Sequence, residues 1–218
     1  MKQFIVVGLG HFGQSIAQTL YNMGYDVLGI DKDEEKVQSM ADTITQVVQA
    51  DATDENTLKA LGVGNFDVGI VSIGSDVQAS ILITLMLKEL GVKYVLAKAL
   101  SDIQGKVLYK IGADRVVFPE RDMGVRVAHN LISSSVLDYI ELSPDFSIVE
   151  ISAIPMWYDK SLGELNMRAK HGINVLAIKR NDSLIVSPKA SDVIRENDIL
   201  VVVGHKRDIN GLEKGKLS

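Results

Sequence analysis

Short β-branched runs alternate with longer segments of helical spacing over the first 118 residues. Phe4, Ile5, Val6 and Val7 form an apolar run that ends at Gly8. Over 12–23, Phe12, Ile16, Leu20 and Met23 recur at the spacing of one helix face. The alternation then continues, predicting strands at 27–30, 45–48, 68–72, 94–97 and 115–118 and helices at 32–40, 54–61, 76–90 and 102–111. Asp54 is placed to cap the helix at 54–61 and Gly62 to end it, while Gly91 ends the helix at 76–90. Strands alternating with helices imply βαβ units on a parallel sheet. The predicted fold class is α/β, a six-stranded doubly wound sheet of Rossmann type followed by a small α+β domain.

The pattern changes after Pro119. Val125, Ala128, Leu131, Ile132 and Val136 keep helical spacing and predict a helix over 123–137. Pro144 breaks the chain, and strands are predicted at 147–151, 175–178, 183–186 and 199–203, with a short helix at 161–169. Asn181-Asp182 has the composition of a tight hairpin turn. The helix at 76–90 is unusual: Ile81, Leu82, Ile83, Leu85, Met86, Leu87 and Leu90 make it apolar over more than half its circumference. A surface helix of a monomer shows one apolar stripe. The second face needs cover, either from the sheet with a crossover helix or from another subunit.

Composition narrows the classes. The 218 residues are 46% hydrophobic and 23% charged, as in ordinary globular chains. Cysteine is absent, which excludes disulfides, thiolate metal sites and thiol nucleophiles and fits a reducing compartment. Residues 3–25 carry no charge, but Gly8, Gly10, Gly13, Gln14, Gln18 and Asn22 interrupt them, so a membrane span is not expected. Only Met1 and Lys2 precede the apolar run, and no secretory leader is expected. These features predict a soluble, cytoplasmic protein. The net charge of −5 comes without a basic run, which argues against nucleic acid as a partner.

Gly8-Leu9-Gly10-His11-Phe12-Gly13 matches GxGxxG, follows a predicted strand and opens a predicted helix. In such turns Gly8 permits the bend, Gly10 lets a pyrophosphate approach the backbone, and Gly13 lets helix and strand pack closely. Free amides at the helix start hold the phosphates. Asp31 ends the second strand, where an acidic side chain accepts hydrogen bonds from ribose hydroxyls. Asp51-Ala52-Thr53 and Ile73-Gly74-Ser75 follow the third and fourth strands, at the sheet edge where ligands bind; position alone leaves ordinary loop chemistry open for both. Lys98, ending the fifth strand, could reach a terminal phosphate or be a solvated strand-end lysine. Glu120 could ligate a divalent cation held on phosphates or be a surface glutamate. None of the four histidines pairs with another at metal-ligand spacing, and no catalytic constellation is found.

The GLGHFG turn, Asp31, and the stretches IGADRVVFPERDMG (111–124) and RAKHGINVLAIKR (168–180) resemble the regulatory subunits of Ktr potassium-uptake systems. Those proteins pair an RCK (KTN) nucleotide-binding domain with a smaller RCK C-terminal domain. The resemblance covers residues 2–213. It implies a nucleotide-binding domain over 1–122, a linking helix over 123–138 and a ligand-binding domain over 139–218. It further implies a homo-dimer assembling into a homo-octameric gating ring, cytoplasmic and peripheral to the membrane, docked on a separate potassium-translocating membrane subunit.

The ligands implied by the resemblance are ATP or ADP, with NAD(H) in some members, and no redox chemistry. By position, Gly8, Gly10, His11, Phe12 and Gly13 form the glycine turn. Asp31, Lys32 and Asp33 would meet the ribose, Asp51 and Ala52 the adenine, and Ile73, Gly74 and Ser75 the base pocket. Lys98 and Gln104 would approach the phosphates, with Ala99 and Leu100 beside them. Glu120 would hold a divalent cation such as Mg2+ near the γ-phosphate, across a subunit interface. His11 stands where many relatives carry arginine, and a neutral imidazole lacks that fixed charge. In the C-terminal domain the resemblance implies cyclic di-AMP, with Arg168 and Asn174 as polar contacts and Ile173, Val175 and Pro188 as an apolar shelf. The competing reading is a small NAD-dependent oxidoreductase; a third is a redox-sensing transcription regulator, for which no helix-turn-helix is seen.

Overall fold

The computed structural model describes residues 2–132 and 136–213. The chain divides into two compact units at Arg121/Asp122. The first runs β1 (Gln3–Val7), α1 (His11–Asn22), β2 (Asp26–Asp31), α2 (Glu34–Met40), β3 (Gln46–Gln49), α3 (Glu55–Ala60), β4 (Val68–Val71), α4 (Val77–Glu89), β5 (Tyr94–Lys98), α5 (Asp102–Lys110) and β6 (Arg115–Val117). All six strands are parallel, in the order β3-β2-β1-β4-β5-β6. The order reverses between β1 and β4, and a crevice opens there beyond the strand ends.

Alternation along β1 divides the core. Ile5 and Val7 point into one apolar layer with Leu28, Ile30, Ile83, Leu87 and Leu108. Val6 points to the other side, with Ala17, Val27, Met40 and Ile70. The helix starts are set locally: the carboxylates of Asp33, Asp54 and Asp76 accept from the amides of Glu35, Asn56 and Ala79. Gly62, in the left-handed region at φ 66°, ends α3. The broad apolar face of α4 is explained within this unit. Ile83, Met86 and Leu87 are buried on the sheet, Ile81 and Leu90 pack against the same core, and α5 lies alongside; Leu82 stays exposed.

The second unit is led in by α6 (Pro119–Ile132) and continues β7 (Val136–Glu141), β8 (Phe146–Ser152), α7 (Leu162–Leu165), α8 (Met167–His171), β9 (Ile173–Arg180), β10 (Ser183–Val186), β11 (Ile199–His205) and α9 (Lys206–Glu213). Its sheet is antiparallel, in the order β10-β9-β11-β8-β7. Val149, Ile151, Trp157, Met167, Ile173, Ile178, Leu200 and Val202 form its core. The expected hairpin is present: Ser183 pairs with Arg180 around Asn181, which sits at φ 50°.

Three elements differ from the sequence expectation. The helix expected over 123–137 ends at Ile132, and Val136 already pairs with Ile151 in β7; residues 133–135 lie outside the described residues. Burial of Tyr139 and pairing with β8 outweigh a periodicity that also suits a strand. The helix expected at 161–169 is two, divided at Asn166, which adopts φ 46°. The C-terminal α9 was not expected; burial of Ile209 and Leu212 anchors it.

A buried ion pair braces the second unit. Arg180 donates from Nε and Nη2 to the two oxygens of Asp198 at 2.8 and 2.7 Å, and the Arg195 amide adds a bond of 2.8 Å. Burial alone would push the fully buried Asp198 carboxyl up; Arg180 and the Arg195 amide outweigh it and hold it below the ordinary aspartate value. Among the described residues, no helix is long and apolar enough to cross a membrane.

Candidate functional site

A cleft of about 310 Å³ lies at the carboxyl ends of the parallel strands beside the β1/β4 reversal. Ten residues singled out from the sequence line it: Gly8, Gly10, Asp31, Lys32, Asp51, Ala52, Thr53, Ile73, Gly74 and Ser75.

The glycines have three different roles. Gly8 adopts φ 94°, and its amide donates to the Ile30 carbonyl at 2.8 Å. A Cβ on Gly13 would stand 2.0 Å from the Gly8 carbonyl oxygen, so α1 can pack against the turn only with glycine there. Gly10 is neither strained nor crowded: its φ is −70°, and nothing lies within 4 Å of where a Cβ would be. Its surroundings on the protein side tolerate a side chain, while it lines the cleft at the start of α1, where no side chain caps the first amides. That is the arrangement expected where a phosphate approaches a helix start.

Asp31 does two jobs. Its Oδ2 accepts from the Leu9 amide at 2.7 Å and its Oδ1 from the Asp33 amide at 3.0 Å. Lys36 lines the same wall, with Nζ 3.9 Å from Asp31 and 3.4 Å from Asp33. Opposite, Asp51 Oδ1 accepts from the hydroxyl and amide of Thr53, at 2.7 and 2.9 Å. The Thr53 bonds hold the Asp51 carboxyl below the ordinary aspartate value.

The remaining predicted residues lie outside the cleft lining. His11 is exposed and Phe12 half-buried in the first turn of α1. Asp33 caps α2. Ala99 is buried in the core, and Leu100 is exposed. Gln104 is buried and turned inward: its Oε1 accepts from the Leu100 amide at 2.8 Å, while its Nε2 has no partner. Lys98 is buried behind Gly74 and forms an ion pair with Glu120, which holds the glutamate carboxyl below its ordinary value. Among the described residues, no three His, Cys, Asp or Glu side chains converge as a metal centre.

Sequence reasoning missed Lys36, Ser72, Asp76 and Ala79 in the lining. Ser72 was legible only as the last residue of a strand; its buried hydroxyl finds no partner. Lys36 lies one helical turn beyond Asp33, a spacing that signals an ion pair and hides a cleft residue.

In the second unit, Arg168 and Asn174 are exposed, on α8 and β9, and Val175 and Pro188 are half-buried. Ile173 is fully buried in the core, so its side chain is a packing group and not an open shelf.

Residues 4–119 match the model of the TrkA-N domain, and residues 146–214 that of the TrkA-C domain. The chain is 52% identical over 213 residues to Ktr system potassium uptake protein C of Bacillus subtilis, covering 98% of this chain and 96% of that one. It is 50% identical over 212 residues to protein A of the same system, covering 97% and 96%. The crystal structure of the GsuK RCK domain superposes with a TM-score of 0.69 at 20% identity, over 98% of this chain and 47% of that longer one, and shows the shared fold. The relatives are potassium-uptake proteins and not enzymes, which removes the oxidoreductase reading. With both domain models matched in order and half of all positions identical to the Bacillus proteins, the chain belongs to the TrkA-N/TrkA-C family, among the regulatory subunits of Ktr potassium-uptake systems.

Proposed function

We propose that this chain controls potassium flux by binding ATP or ADP in the cleft of the first unit and cyclic di-AMP on the second. The observation that carries the nucleotide reading is the open space at Gly10 facing the cleft that Asp31 closes from β2. Asp31, Lys32 and Asp51 supply the polar groups for ribose and base, Ile73 and Ala52 the apolar wall. NAD(H) shares the adenosine and pyrophosphate that this arrangement suits. A divalent cation such as Mg2+ would bridge the phosphates to Glu120.

For cyclic di-AMP, the support is the exposed Arg168 beside Lys170 on α8, followed at once by exposed Asn174 on β9; guanidinium forks suit phosphate oxygens. The assembly reading is a homo-dimer building a homo-octameric ring on a membrane potassium-translocating subunit, peripheral to the membrane on its cytoplasmic side. Met123, Val127 and Leu131 recur at i, i+4 and i+8 on α6, all exposed, as a helix that pairs with another copy requires.

The test is a thermal-shift panel of ATP, ADP, NAD, NADH and cyclic di-AMP on the purified full chain, because a ligand of the native state raises apparent stability by RT ln(1 + [L]/Kd). Stabilisation by ATP or ADP and, additively, by cyclic di-AMP is expected. No shift with any adenine nucleotide would end the nucleotide reading.

A further inference from the structure

Lys98 is 8% exposed, and its ammonium sits where three parts of the first unit meet. Its Nζ lies 3.4 Å from the position a Gly74 Cβ would take, and Gly74 lines the cleft. The Phe12 ring, in the first turn of α1, is centred 6.0 Å away. Its ion-pair partner is Glu120, at the start of α6. The two partners are solvated very differently: the lysine side chain is 10% exposed and the glutamate 61%. A buried ammonium needs an anion beside it, whereas an exposed carboxylate can return to water at little cost.

We propose that Glu120 is an internal competitor for the anion position beside Lys98, and that a nucleotide's outer phosphate must displace it. This rests on reading the cleft as a nucleotide site. Phosphates seated at Gly10 and the α1 amides extend along the first turn of α1, beside which Lys98 waits. A phosphate oxygen replaces the Glu120 carboxylate as partner of the ammonium, and the released carboxylate swings to solvent with its negative charge free. Two consequences follow. The pair lowers the apparent affinity for any ligand that must open it, by the fraction of molecules in which Lys98 is free. And a longer phosphate chain, reaching Lys98 fully, gains from the exchange what a shorter chain does not, so Glu120 helps set the preference between nucleotides of different phosphate count.

The experiment is calorimetry in metal-free buffer with ATP, ADP and inorganic tripolyphosphate, on the full-length wild type, Glu120→Gln, Lys98→Gln and the double variant. Glu120→Gln keeps the shape and removes the competing charge. It is expected to bind ATP and tripolyphosphate about tenfold more tightly than the wild type, with a smaller gain for ADP. Lys98→Gln weakens ATP, and in the double variant the gain from Glu120→Gln disappears. Unchanged or weaker ATP and tripolyphosphate binding by Glu120→Gln overturns the proposal, as does a gain that survives in the double variant. Should the wild type bind no adenine nucleotide, the reading of the cleft fails, and tripolyphosphate alone still decides whether Glu120 competes for Lys98.

Discussion

Asp31 Oδ2 accepts a hydrogen bond from the Leu9 amide at 2.7 Å, tying the end of the second strand to the middle of the glycine turn. The side chain expected to meet a ribose therefore also shapes the turn that would meet the phosphates. Asp31→Ala is expected to weaken ATP binding by tenfold or more and also to lower stability by about 1–3 kcal/mol, since two backbone amides lose a charged acceptor. Denaturant unfolding and ATP titration on the same preparation check both; unchanged stability would show that water replaces the carboxylate in the turn.

Two glycines of one turn should behave oppositely. Gly13→Ala places a Cβ 2.0 Å from a backbone oxygen, and about 3 kcal/mol of stability should be lost. Gly10→Ala meets open space and should cost about 0.5 kcal/mol, through the poorer helix cap. Only the second leaves a well-folded protein, and it should still lose most of its ATP affinity. Full ATP binding by Gly10→Ala would place the phosphates elsewhere.

The Arg180–Asp198 brace makes the second unit sensitive to acid. Asp198 is held below its ordinary value in the folded chain, so its contribution is complete above the unfolded-state value and is lost as pH falls through the folded one. Below about pH 4, unfolding of the wild type should therefore steepen. Asp198→Asn should lose about 3 kcal/mol at neutral pH, because Arg180 keeps its charge without a charged partner, and should show a flatter acid limb. Equal acid limbs for the two proteins would assign the loss to other carboxylates.

Arg168→Ala should impair cyclic di-AMP binding and spare ATP. The side chain is exposed, so stability should stay within about 0.5 kcal/mol of the wild type. Calorimetry with each ligand separates the outcomes. Equal loss of both affinities would point to assembly, and loss of neither would move the cyclic dinucleotide away from α8. Ile173→Val, by contrast, acts on a wholly buried side chain and should cost about 1 kcal/mol of stability whatever the ligand.

The first unit was legible along the chain because its signals are local. Strand and helix periods, the capping aspartate at 54 and the glycine turn all lie within a few residues of the structure they specify. The strand order and the cleft follow from them, since parallel strands with short crossovers admit few arrangements. The second unit was harder. Val136–Glu141 is a strand because β8 offers it a partner and Tyr139 a buried place, and α9 forms because Ile209 and Leu212 reach a core built by distant strands. The same division runs through the site. The expectation that Gly8, Gly10, Gly13 and Asp31 form a phosphate and ribose set comes from their spacing. That Asp31 holds Leu9, that Gln104 turns inward to Leu100, and that Lys98 is occupied by Glu120 are decided by the tertiary structure. Residues 22 apart in sequence meet in two of these contacts, and no periodicity along the chain records which buried donor will find which acceptor.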